Sequence, residues 1–216
     1  MMNLRQTNVF FFSGIHRWSV ILSATLLISQ LGCQSAEPVS EPEHAAESQD
    51  APQSVRQVPL EIADWNRVQE LVRERKGRIV VVDLWSNSCL PCIREFPEFV
   101  SLEKRFPDDV DCISLNCDYF GGKRFPPASF REQVQQFLTK QQADFPNILN
   151  DVASDEFFPS IDLASIPATY VFNREGEVAK RFDNDQGEYG KEGYTYEKDV
   201  IPFIESLIRP SPRLKR

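Results

Sequence analysis

The stretch spanning residues 79–97 constrains this chain more than any other: Ile-Val-Val-Val-Asp-Leu-Trp-Ser-Asn-Ser-Cys-Leu-Pro-Cys-Ile-Arg-Glu-Phe-Pro. Residues 79–84 are apolar except for Asp83, which predicts a central strand, buried on both faces, in a largely parallel sheet. Beyond the strand's carboxyl end, Ile93, Phe96, Phe99 and Val100 recur at helical spacing. Cys89 is therefore expected in the first turn of a helix, where unpaired backbone N–H groups and the positive end of the helix dipole stabilise a thiolate. Cys92, one turn later, is positioned to close a disulfide with it. The pair reads as a redox dithiol on a strand-to-helix turn.

A length of 216 residues allows one domain plus appendages. Hydrophobic content of 41% with 16 phenylalanines supports a packed core, and a net charge of −8 argues against a nucleic-acid partner. Residues 1–33 carry Arg5 and Arg17 but no acid, then an apolar run over 18–31 and Gly32-Cys33, the pattern of an export signal. Residues 34–58 turn to Ala, Ser, Glu, Gln and Pro, with Glu37, Glu41, Glu43, Glu47 and Asp50 against Arg56. Such a segment buries too little apolar surface to offset chain entropy, which predicts an acidic linker. The folded domain is expected over 59–208, with a basic tail over 209–216.

Both histidines, His16 and His44, precede that domain, which excludes a histidine-assisted copper carrier or cysteine hydrolase. The spacing of Cys89, Cys92, Cys112 and Cys117 formally allows a four-cysteine zinc site. A zinc knuckle needs turn residues around its second pair, however, and residues 110–117 read as a strand. No metal is expected. Cys112 and Cys117 fall on opposite faces of that strand, as small core residues.

The dithiol and its surroundings resemble the thioredoxin superfamily, and more closely its exported TlpA/ResA-like branch of membrane-tethered thiol-disulfide oxidoreductases. The resemblance rests on Asp83 six residues before Cys89, Trp85 four before it, Pro91 between the cysteines, Pro97 five after Cys92, and Ile166-Pro167 opening a late strand. It covers roughly residues 58–208 and implies an α/β, thioredoxin-like fold: a central mixed β-sheet flanked by helices, with an inserted helix between the two halves. The implied activity is dithiol–disulfide exchange, in which Cys89 attacks a substrate disulfide and Cys92 resolves the mixed disulfide. Asp83, a carboxyl inside a buried strand, is expected to have a raised pKa and to take the proton from Cys92. Trp85, Pro91, Ile166 and Pro167 are the implied substrate contacts, with Pro167 cis and the Ile166 backbone pairing with an extended substrate segment.

No cofactor is implied. The implied partners are disulfide-containing proteins on the extracytoplasmic side of a bacterial membrane and a membrane electron donor. Gly32-Cys33 looks like a lipoprotein cleavage site, which would make Cys33 the lipidated residue. The chain departs from the family at Ser88, where tryptophan is usual, and at Ser114, where thioredoxins place a lysine before the Leu-Asn-x-Asp run. Ser86 is only a partial echo of the threonine of thiol peroxidases. A reading from another class is a binding or chaperone module that keeps the scaffold with a structural disulfide.

Elsewhere, Asp64 is expected to cap a helix carrying Trp65, Val68, Leu71 and Val72, and Ser129-Phe130-Arg131-Glu132 to form a capping box. Residues 118–128 read as a loop insertion, 147–149 as a short strand, and 168–172 with 178–182 as a hairpin. Residues 183–193 read as a surface loop and 199–208 as a last helix, with Pro202 in its first turn.

Overall fold

The computed structural model describes residues 58–209; the expected export signal, Cys33, the expected linker up to residue 57 and the tail beyond Arg209 lie outside them. Strand β2 (Ile79–Trp85) is the axis of the fold, and all seven of its residues are buried, as an apolar run covered on both faces requires. On one side β2 pairs in parallel with β3 (Val110–Asn116), β3 with β4 (Asn147–Asn150), and β4 with the short edge strand β1 (Glu61–Ala63). On the other side it pairs antiparallel with β5 (Ala168–Phe172), which forms a hairpin with β6 (Val178–Phe182). The strand order β1-β4-β3-β2-β5-β6 gives the mixed-sheet, thioredoxin-like α/β fold that the sequence resemblance implied.

Alternation along β2 sorts its side chains between two cores. Ile79, Val81 and Trp85 face α2 (Leu90–Arg105), α3 (Arg131–Gln141) and α5 (Ile201–Ile208), in a cluster with Phe96, Phe99, Leu138 and Ile204. Val80, Val82 and Leu84 face α1 (Trp65–Glu74) and α4 (Ser154–Ser160), against Val68, Leu71, Val72 and Phe157. Helix α1 starts where expected: the Asp64 carboxylate accepts the N–H groups of Asn66 and Arg67 at 3.0 and 3.3 Å, satisfying two donors that the helix itself leaves free. Beyond α1, Gly77 adopts φ 95°, a left-handed backbone that lets the chain turn into β2 without a Cβ clash.

Other local expectations are corrected. Residues 129–132 form no capping box, because the chain enters α3 through a 3-10 turn, Pro127–Phe130, and the Ser129 hydroxyl donates to the Pro126 carbonyl at 2.6 Å instead of capping. The last helix begins at Ile201 rather than 199, after a wide π-type turn, Tyr196–Val200. Pro202 still falls in its first turn, where no donor is needed. Helix α4 and strand β1 were not foreseen. The first is a short, acid-started helix of about two turns that buries Phe157, and the second is a strand only through its register with β4.

Candidate active site at the β2–α2 turn

Cys89 is the N-cap of α2, one residue ahead of the expected first-turn position, and its Sγ accepts the Cys92 N–H at 3.3 Å. One of the helix's unpaired donors is thus aimed at this sulfur, which favours negative charge there. Cys89 is half-buried and Cys92 buried, and a disulfide joins them across a Cα separation of 5.3 Å. Leu90 and Pro91 form the exposed tip between them, Leu90 being 79% exposed. The register Leu84↔Ala168 puts Ile166 and Pro167 at the carboxyl end of β2, the end from which the Cys89 turn departs. The Ile166–Pro167 peptide bond is cis, and both residues are partly buried. Ile166 joins Ser86, Ser88, Asp118, Phe120 and Phe130 around a cavity of about 340 Å³.

Asp83 lies two residues inside that end of β2 and is 4% exposed. Its register partners are Ser114 on β3 and Thr169 on β5, and Ser114 is in turn paired with Asn147, so a row of buried polar residues crosses the sheet at this level. Ser114 gives its proton to Asn147 Oδ1 at 2.7 Å. Asp83 Oδ1 accepts the Tyr196 hydroxyl at 2.6 Å and the Thr169 hydroxyl at 3.1 Å. Thr169 Oγ1 lies 3.0 Å from the hydroxyls of both Tyr194 and Tyr196.

Burial pushes the Asp83 carboxyl up to about 7; the two hydroxyl bonds oppose that rise and the charge of Glu95 adds to it. Burial first, and then the charge of Asp83, holds the Tyr194 and Tyr196 phenols well above their ordinary value, so both stay protonated donors. Sequence reasoning missed both tyrosines. The signal was their alternation around Thr195, which places two hydroxyls on one side of an extended segment.

A second carboxylate holds the approach to Cys89. Asp118, which opens the stretch read from sequence as a loop insertion, is 8% exposed. It accepts Ser86 Oγ at 2.6 Å, the Asn87 N–H at 2.8 Å, Asn87 Nδ2 at 2.6 Å and Asn116 Nδ2 at 3.2 Å. Because the single Ser86 hydroxyl proton goes to Asp118, Ser88 is the donor in the 2.8 Å Ser86–Ser88 contact. The segment between β2 and the dithiol is thereby tied to the end of β3. Three consecutive hydrogen-bonding side chains, Ser86-Asn87-Ser88, were the sequence signal that a partner had to exist.

Trp85 is corrected from substrate contact to core residue. It is fully buried, with ring centroids 4.9 Å from Phe96 and 4.7 Å from Phe137, because strand alternation places it on the face covered by α2 and α3. Pro91, by contrast, is exposed beside the dithiol. Cys112 and Cys117 are buried and unpaired, one in each core. Burial raises both thiols, which leaves little thiolate, and their positions on opposite faces prevent them from completing a four-cysteine site. Among the described residues no helix is long and apolar enough to cross a membrane.

The thiol-disulfide oxidoreductase ResA of Bacillus subtilis is 26% identical over 139 residues, covering 64% of this chain and 68% of that protein. The sporulation thiol-disulfide oxidoreductase A of the same organism is 24% identical over 106 residues, covering 49% of this chain and 59% of that protein. A DsbF homologue from Corynebacterium diphtheriae superposes with a TM-score of 0.47 at 18% identity, covering 62% of this chain and 74% of that one. The AhpC/TSA family matches residues 54–181, more than half of the sequence and all of β1 through β5, and the chain belongs to that family.

Proposed function

We propose that this protein is an exported, membrane-tethered thiol-disulfide oxidoreductase that reduces disulfides in envelope proteins through Cys89 and Cys92. The observation that carries the reading is the asymmetry of the pair: Cys89 caps a helix, accepts a backbone N–H and meets solvent, whereas Cys92 is buried behind it. Its relatives' names support the activity. The leader, the acidic linker and Cys33 support export and a lipid tether.

In the reduced protein the Cys89 thiolate attacks one sulfur of the substrate disulfide. A mixed disulfide forms and the other substrate sulfur leaves as a thiolate, which takes a proton. Cys92 then gives its proton to Asp83 and attacks Cys89 Sγ, which forms the Cys89–Cys92 bond and releases the second substrate sulfur as a thiolate, which takes a proton in turn. The substrate gains two electrons and the protein dithiol loses them, to be restored by a membrane donor. Pro91, Ile166 and Pro167 border the path by which an extended substrate segment reaches Cys89.

The test is reduction of a disulfide-bonded protein by the chain in the presence of a dithiol donor. Cys89→Ser should retain less than about a tenth of wild-type activity with its fold intact, and Cys92→Ser should accumulate mixed disulfides through Cys89. Equal trapping by the two variants would overturn the assignment. A thiol titration separates this reading from a binding module with a structural disulfide, since exchange calls for a Cys89 pKa well below the free value of about 8.5.

A further inference from the structure

The exchange step needs a charged base in a site that opposes charge. Among the described residues no cation acts on Asp83, and the charge it feels is that of another acid, Glu95 on α2. What the site supplies instead is a chain of hydroxyls. The Tyr196 hydroxyl and the Thr169 hydroxyl both donate to Oδ1, at 2.6 and 3.1 Å. With its proton spent on Asp83, Thr169 Oγ1 can only accept in its 3.0 Å contact with Tyr194, which therefore donates. The donor order is fixed as Tyr194 to Thr169 to Asp83, with Tyr196 converging on the same oxygen. Both bonds fall on Oδ1 and none of the described hydrogen bonds falls on Oδ2.

We propose that Tyr196, backed by Thr169 and Tyr194, is a positioning residue that stands in for a cation: it favours the charged form of Asp83 and pins Oδ1, so that Oδ2 is the oxygen that receives the Cys92 proton. The inference rests on the reading of Asp83 as the resolving base and names the groups that make it one. In the step itself the Cys92 S–H bond breaks, its proton goes to Oδ2, and its electron pair forms the bond to Cys89 Sγ as the substrate sulfur leaves. The other groups that face Asp83 do not compete. Cys112 of β3 is kept neutral by burial, as is Cys117 on the opposite face of the sheet, Thr169 is the group on β5, and Tyr194 and Tyr196 come from the segment ahead of α5. From α2, Glu95 accepts the Tyr196 backbone N–H at 3.1 Å, which fixes the tyrosine's position over Asp83.

The experiment uses the reduced protein and dithionitrobenzoate, which releases one coloured thiol when Cys89 attacks and a second when Cys92 resolves. The second phase, followed against pH, isolates resolution from attack. Wild type should rise through a midpoint set by Asp83. Tyr196→Phe should move that midpoint upward by about one pH unit, since a hydrogen bond that favours the ionised form is worth about that much. Below the midpoint this slows resolution about tenfold, with the first phase unchanged. Thr169→Val, which keeps the shape and removes the hydroxyl, should move it in the same direction, and provides the test if Tyr196→Phe folds poorly. In an Asp83→Asn background neither substitution should have a further effect.

An unchanged midpoint in both hydroxyl variants, with Asp83→Asn still slow, would overturn the role of the hydroxyls and leave Asp83 as the base. A normal second phase in Asp83→Asn would overturn both. Absence of a second phase in wild type would instead refute the exchange function itself.

Discussion

The raised pKa of Asp83 makes a quantitative claim about stability that does not depend on any substrate. In the unfolded chain an aspartate ionises near pH ~3.9, whereas in the folded protein burial raises this carboxyl to about 7. Between those values the native state holds a proton that the unfolded state has released, so stability must fall as pH rises through this window. Below it both states are protonated and nothing is lost; above about 7 the full cost is present. A displacement of about three units at ~1.4 kcal/mol each amounts to about 4 kcal/mol.

Asp83→Asn isolates this contribution, because an amide keeps Oδ1 as the acceptor for Tyr196 and Thr169 but cannot ionise. Urea unfolding of the oxidised protein and the variant should be compared from about pH 4 to about pH 8. Any constant offset reflects the amide itself. The difference between the two profiles should shift by about 4 kcal/mol in favour of the variant as pH rises. Parallel profiles, or a shift in favour of wild type, would refute the argument that Asp83 ionises at a cost inside the sheet.

Three further outcomes are expected. Asp118→Ala strands the Ser86 hydroxyl and both Asn87 donors and should cost about 3 kcal/mol in urea unfolding, with partial recovery in Asp118→Asn; unaltered stability would mean the turn does not depend on this carboxylate. Trp85→Ala should cost about 4 kcal/mol through the cavity it opens among Phe96 and Phe137, with KM for a protein disulfide unchanged in the folded variant; a raised KM at wild-type stability would restore Trp85 as a substrate contact. Cys33→Ser should release the protein from the membrane fraction, and retention there would point to an uncleaved anchor instead of a lipid.

Local pattern made most of the frame legible. The apolar run of β2, the helical spacing after Cys92, the Asp64 cap and the hairpin of β5 and β6 are each specified by residues close in sequence, and the structure has all of them. What escaped depends on distant partners. Asp118 looks like any loop aspartate until its hydrogen bonds to residues 31 and 32 positions earlier are seen. Tyr194 and Tyr196 sit beside a glycine-rich loop, and only the approach of Thr169 and Asp83 makes them part of a site. Trp85 was misassigned for a different reason: its place next to the motif suggested contact, although the alternation that puts Ile79 and Val81 under the helices already put Trp85 there as well.

The placement of Cys112 and Cys117 bears on how the chain reaches its oxidised form. Once β3 is seated against β2, at the register Val81↔Cys112, these two thiols lie in separate cores with little thiolate available. Among the four described cysteines, a chain that collapses before it meets an oxidant can then form only the Cys89–Cys92 bond, since no other pair of them is both reachable and reactive. A chain oxidised while still extended has no such protection, and any of its thiols can capture Cys89 or Cys92 in a bond the native sheet cannot contain. Correct pairing is therefore settled by a race between collapse and oxidation, and the sheet decides it by hiding the competitors first.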